Sequence, residues 1–219
     1  MSVRELMLQL AKSEVEQSGT GFKLQAVVDQ AGVTMAMVNH YFGNRDRLLA
    51  EAAFLIYEEY ISSLWQAVLS APATPEARLG AWISRQINFQ AEKKGWSVIF
   101  NYPAAVPGVA QALNEQFGER VHQLFELNIA RLTRLVIDVA EAKVTEVDYQ
   151  IGDYPRAELL ADREAVAKAS SIAWSALGAS IWAAGEHMPS QSTAEIVKYL
   201  DGVTAVHVSN LIASVPRRY

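Results

Sequence analysis

No cysteine occurs in the 219 residues. Disulfide scaffolds, thiolate metal sites, iron–sulfur clusters and cysteine nucleophiles are therefore excluded. The absence fits a reducing cytosol without requiring one. Histidine is almost as scarce. His40, His122, His187 and His207 are scattered, and none stands in H-E-x-x-H or another metal-ligand spacing. There is no glycine-rich phosphate loop. Gly178-Ala179-Ser180-Ile181-Trp182 only partly matches a nucleophile elbow and falls inside a helical stretch. The sequence thus reads as that of a non-enzyme with no catalytic residue, metal or cofactor. Long apolar runs are missing too. The longest uncharged stretch of interest, Ala169 to Gly185, has 17 residues and contains Ser170, Ser171, Ser175 and Ser180. A membrane span needs about 20 apolar residues, so a buried helix is expected there. Met1-Ser2-Val3-Arg4-Glu5 opens no apolar run of the signal-peptide kind, and a cytoplasmic protein with no membrane contact is expected.

What is present is an ordinary globular mixture, 51% apolar and 20% charged, able to bury a core. The net charge is −5, and its distribution is uneven. Residues 1–50 hold five bases (Arg4, Lys12, Lys23, Arg45, Arg47) and five acids (Glu5, Glu14, Glu16, Asp29, Asp46). The remaining 14 bases and 19 acids place the whole surplus in residues 51–219. An acidic body disfavours a diffuse wrap around nucleic acid, whereas a neutral head can still make a local, directional contact. The acidic stretch Asp138, Glu141, Glu146, Asp148 and Asp153 matches no calcium loop and reads as a solvated face.

Helical periodicity runs through nearly the whole chain. Val3, Leu6, Met7, Leu10, Ala11 and Val15 mark a first helix, which Ser18-Gly19-Thr20-Gly21 breaks. A short helix from Leu24 to Ala31 follows, then a turn at Gly32, then a second short helix from the N-cap Thr34 to Tyr41. Asn44 and Asp46 suit the start of a long helix to Leu69, which Ala71-Pro72-Ala73-Thr74-Pro75 ends. Further helices are expected over 76–93, 110–143 and from Pro155 or Asp162 to Gly185, with a short irregular aromatic piece between Gly95 and Pro103. Val144 to Ile151 alternates weakly, as a strand or a lid-like loop would. Ser192-x-x-Glu195 is a capping box for a last helix to Ser214. The fold class is all-α, with a three-helix head over 1–50 joined by the long helix to a helical body over 51–219.

Two short helices joined by a tight turn are what a major-groove reader requires. Val28, Gly32 four residues on, and Val38 six beyond would pack the second helix of the head across the third. An αα-hairpin in a plain bundle shares that pattern. The run Ala31-Gly32-Val33-Thr34-Met35-Ala36-Met37-Val38-Asn39-His40-Tyr41-Phe42-Gly43-Asn44-Arg45-Asp46-Arg47-Leu48 goes further. It resembles the signature of the tetracycline-repressor (TetR) family, roughly A-G-V-[ST]-x-x-x-[LIV]-Y-x-[YH]-F-x-[NS]-[KR]-x-x-L. The resemblance covers the head; the rest of the chain agrees in size and helical layout.

The resemblance implies that Thr34 caps the recognition helix and bonds a phosphate, and that Met35 and Ala36 face base edges. His40 and Tyr41 would lie along the backbone or groove, Phe42 would fill the head's core, and Arg45 would pair with a phosphate. Asn39 stands where the family usually has Tyr, and Asn can read adenine bidentately. Phe22 and Lys23 replace the Thr or Ser that usually opens the second helix, leaving Lys23 to supply the phosphate contact. Double-stranded DNA, as a palindromic operator, is the implied partner. With two to four phosphate contacts per subunit, two weak half-sites require a homodimer.

In the body, Ser171, Ser175, Ala179 and Ala183 recur every four residues and are flanked by Leu177 and Ile181. Ile196, Leu200, Val203, His207 and Leu211 make a matching stripe on the last helix. Doubled by a two-fold axis, the pair makes a four-helix dimer interface, as the resemblance also implies. Alternatively the stripes build the monomer's own core. Among the aromatics, Trp82, Phe89, Trp96, Phe100, Tyr102, Phe125 and Trp174, with Gln86 and Asn128, form a candidate pocket for a small, mainly apolar or aromatic effector. In the family such a ligand moves the body against the long helix and changes the spacing of the two heads. A repressor released by its effector is the expectation. The alternative is a helical effector-binding or scaffold protein whose head no longer binds DNA.

Overall fold

A computed structural model describes residues 1–145, 156–184 and 193–218, with the side chains of 182–184, 193–198 and 200 excepted. Among the described residues the chain is all-α, with no strand. The helices are α1 (Val3–Ser18), α2 (Leu24–Ala31), α3 (Met35–Phe42), α4 (Arg45–Ser70), α5 (Pro75–Glu92), α6 (Lys94–Asn101), α7 (Pro107–Glu141), α8 (Arg156–Ala161), α9 (Arg163–Ala184) and α10 (Thr193–Ala213). Two 3-10 turns, Gly19–Gly21 and Pro103–Ala105, follow α1 and α6. None of the described helices is long and apolar enough to cross a membrane.

Local chemistry accounts for most boundaries. The Ser2 hydroxyl accepts from the Glu5 amide at 3.2 Å while the Ser2 amide donates to Glu5 Oε2 at 2.7 Å, a capping box on α1. Gly32 ends α2 at φ +64°, and Val33 N–H closes the turn on the Val28 carbonyl at 3.1 Å. A Cβ at Gly32 would meet nothing within 4 Å, so the left-handed backbone, not space, demands glycine there. Asn44 Oδ1 accepts from the Arg47 amide at 2.8 Å and caps α4.

Two elements depart most from the sequence expectation. The aromatic piece expected as irregular is the helix α6, because Trp96 and Ile99 bury one face and tertiary packing sustains a helix that local signals leave open. Helix α7 starts at Pro107, three residues earlier than expected, with proline at its first position. The strand or lid expected over 144–151 lies, beyond Thr145, outside the described residues. So do Ser192 and the Glu195 side chain of the expected capping box.

The chain forms two compact units. The first holds Met1–Tyr60 and Glu92–His122, and the second holds Ile61–Ala91 and Gln123–Tyr219. The first is therefore larger than the expected head, since it includes α6 and the N-terminal part of α7. Its core is built by Met7, Ala11 and Val15 of α1, Val27 and Val28 of α2, Val38 and Phe42 of α3, and Leu48, Leu49 and Ile56 of α4. The second buries Leu64, Trp65, Leu79, Trp82, Ile83, Ile87, Leu132, Leu135, Ala169, Ile172 and Ala176. There α9 packs against α8 and α10.

Candidate functional site

The head divides its residues as a helix-turn-helix requires. Val28 and Val38, expected to pack across the turn, are both buried, and so is Phe42. Phe42 is held from above by the Arg4 guanidinium, 4.8 Å from its ring centroid, and Arg4 Nη2 in turn donates to both carboxylate oxygens of Glu51, at 2.6 and 2.8 Å. The opposite side is open. Lys23, Thr34, Met35, Ala36, Asn39, His40, Tyr41 and Arg45 are all exposed.

Thr34 occupies the N-cap position of α3 with extended backbone, but its side chain makes no capping hydrogen bond. Lys23 likewise precedes α2 without a side-chain cap. Neither N-cap side chain therefore occupies the first-turn amides of its helix, which leaves them free of a side-chain cap as an anion site would need. His40 and Tyr41 touch edge to face, with ring centroids 5.0 Å apart. Arg45 is partly engaged inside the unit. Its Nη2 donates to the Phe22 carbonyl at 3.3 Å, its guanidinium lies 5.4 Å over the Phe22 ring, and Nη1 reaches Asp46 at 3.2 Å. Phe22 is buried, and its carbonyl and ring seat Arg45.

The nine residues expected to line one pocket fall in different places. Trp96, Phe100 and Tyr102 belong to the first unit, and Trp82, Gln86, Phe89, Phe125, Asn128 and Trp174 to the second. In the first, Trp96 is fully buried and spends its indole N–H on the Ala53 carbonyl at 3.0 Å. Phe100 stacks on Tyr57 at 4.6 Å and on Trp96 at 5.0 Å, while Tyr102 is 48% exposed. In the second, Trp82, Gln86, Phe89 and Asn128 are buried, and Trp82 Nε1 donates to Asn128 Oδ1 at 3.4 Å. Phe125 and Trp174 stand out of that interior, 50% and 68% exposed. Helical periodicity gives an aromatic residue a face but not the neighbour that covers it, so spacing alone groups these two with the buried ones.

Trp65, Gln90 and Arg131 stand outside the expected pocket set. All three are buried in the second unit, with the Arg131 guanidinium 5.4 Å from the Trp65 ring centroid. A basic residue four after Leu127 and three after Asn128 on α7 is the available signal. Among the described residues, no group of three or more His, Asp or Glu could hold a metal ion.

On α9 and α10, Ser171 is exposed, and Ser175, Leu177, Ala179, Ile181, Val203, His207 and Leu211 are half-buried. The Leu200 side chain lies outside the described residues. Apart from Ser171, the open faces are offset by one position from the expected stripes. They run through Ser171, Trp174 and Gly178 on α9 and through Tyr199, Gly202 and Val206 on α10.

No family model matches the chain, and no curated protein matches it. Solved structures do. A protein of Pseudomonas aeruginosa PAO1 assigned as a transcriptional regulator superposes with a TM-score of 0.52 at 15% identity, over 96% of this chain and 90% of that one. A TetR transcriptional regulator of Streptomyces coelicolor superposes with a TM-score of 0.51 at 16% identity, over 99% of each chain. The likeness is one of fold: this chain has the all-α architecture of those regulators.

Proposed function

We propose that this chain is a DNA-binding transcriptional regulator of TetR type. It acts in the cytoplasm as a homodimeric repressor, and a small, mainly apolar or aromatic effector releases it from a palindromic operator. The observation that carries the reading is the exposed surface of the head. Lys23, Thr34, Met35, Ala36, Asn39, His40, Tyr41 and Arg45 are all exposed, while Val28, Val38 and Phe42 are buried. In this reading Met35, Ala36 and Asn39 meet base edges, and Lys23, Thr34 and Arg45 meet phosphates.

The open faces of α9 and α10 support self-association. Trp174, Tyr199 and Val206 are the large exposed residues there, and Gly178 and Gly202 would let helices approach closely. The buried polar and aromatic groups Trp82, Gln86, Phe89 and Asn128 support an effector site in the second unit.

Selection of bound duplexes from a random DNA pool, followed by titration at two salt concentrations, tests the reading. The expected result is an enriched palindrome bound with salt-dependent affinity. A folded, dimeric protein that enriches nothing supports a helical scaffold whose head no longer binds DNA.

A further inference from the structure

The first unit contains attachments that DNA contact does not use. At Gly95, in the first turn of α6, a Cβ would overlap the Val15 carbonyl oxygen and the Gly19 nitrogen. At Gly19 a Cβ would lie 2.6 Å from the Gly95 carbonyl oxygen. The backbone of α6 therefore rests directly on the last turn of α1, at a separation that only two glycines allow.

Four alternating charges sit in the same unit. Lys12 Nζ lies 2.6 Å from Glu59 and 3.2 Å from Glu16, and Lys93 Nζ lies 2.8 Å from Glu16 and 3.9 Å from Glu59. Lys12 and Glu16 are one turn apart on α1, Glu59 is on α4, and Lys93 immediately precedes α6. Trp96, next to Gly95, ties α6 to α4 through the Ala53 carbonyl. Backbone, charge and a buried hydrogen bond thus hold α6 against α1 and α4.

We infer that Gly95 and Lys93 are positioning residues for DNA binding: α6 seated on α1 sets the attitude of the α2–α3 reading face. This rests on the DNA-binding reading of α3. Helix α2 packs on α1 and α3 packs on α2, so a displaced α1 carries α3 with it. A head of about 50 residues buries a modest share of its surface and is marginal by itself, so the seat on α6 adds to what holds that attitude. Hydrogen bonds to base edges lose their strength within a few tenths of an ångström, so a small tilt is enough to break them.

The test uses the full chain and three variants, with two readouts on the folded protein. One is affinity for the selected operator, and the other is amide hydrogen exchange over residues 13–22 and 94–101. For Gly95→Ala, exchange accelerates in both segments together and operator affinity falls by about tenfold or more, because the added methyl has backbone, not a flexible side chain, in its way. Lys93→Gln acts in the same direction with a loss of about threefold, the scale of a half-exposed ion-pair network. Gly21→Ala, whose new methyl would meet only the Ser18 Cβ at 4.0 Å, changes neither readout.

Faster exchange with wild-type operator affinity in Gly95→Ala shows a merely structural contact and overturns the inference. So does unchanged exchange in both segments. If Gly95→Ala does not fold, Lys93→Gln decides by the same two readouts. If the wild-type chain itself enriches no operator, the DNA-binding reading fails and the positioning role fails with it, an outcome distinguished by arising in the parent protein rather than in a variant.

Discussion

Trp96 donates its indole N–H to the main-chain carbonyl of Ala53 at 3.0 Å, and neither residue is exposed. The bond fastens α6 to the middle of α4 and makes Trp96 part of the scaffold of the first unit. Trp96→Phe keeps an aromatic ring but loses the donor. It is expected to lower unfolding free energy by about 1 kcal/mol with an unchanged denaturant slope. Urea titration checks this, and an unshifted midpoint would count against a scaffolding role.

Asn39 is exposed on α3 at the position where the related motif has Tyr. Asn39→Ala leaves the buried side of the helix untouched, so the fold is expected to survive. Loss of a bidentate base contact is expected to weaken operator binding by about 10- to 100-fold and to relax preference at one base pair. Fluorescence anisotropy on the selected duplex and its single-base variants measures both effects.

The neutral head limits how strongly salt can act. With about two to four phosphates neutralised per subunit, a dimer should give a slope of log affinity against log salt between about −4 and −7. A much steeper slope would mean that the acidic body also carries a basic contact surface, which its charge balance argues against.

Val206 is 63% exposed on α10, close in sequence to Gly202 on the same open face. Val206→Glu places a charge in the proposed dimer interface and leaves the monomer's core alone. Sedimentation should find a folded monomer, with operator affinity reduced by about 100-fold through loss of the second half-site. A dimer of unchanged stability in this variant would move the interface elsewhere.

Two groups make stability sensitive to alkali. Burial disfavours the Lys12 ammonium, but its hydrogen bond to Glu59 and the charge of Glu16 outweigh that and raise it above its ordinary 10.5. Burial alone pushes the Tyr57 phenol well above its ordinary 10.0. Above about pH 10 both groups keep protons in the folded state that the unfolded chain loses. Their contribution is therefore intact at neutral pH and falls away as pH rises past about 10. Urea unfolding at about pH 8 and about pH 11 should show the decline, and Tyr57→Phe should flatten it.

Much of what depends on neighbours along the chain was legible in the sequence. The helical period, the left-handed turn at Gly32, the start of α4 at Asn44 and the exposed and buried sides of α3 all follow from local sterics, capping and spacing. The head motif could be read for the same reason, since its residues lie within one short stretch. Which way each helix of the body turns its aromatic residues was not local. Trp82 and Trp174 occupy similar patterns, yet one is sealed against Asn128 and the other stands in the open, because a helix is rotated by what packs on it. The meeting of Gly19 with Gly95, and of Glu16 with Lys93, joins residues more than seventy positions apart. No periodicity encodes such a pair, and only the closing of α6 onto α1 brings it about.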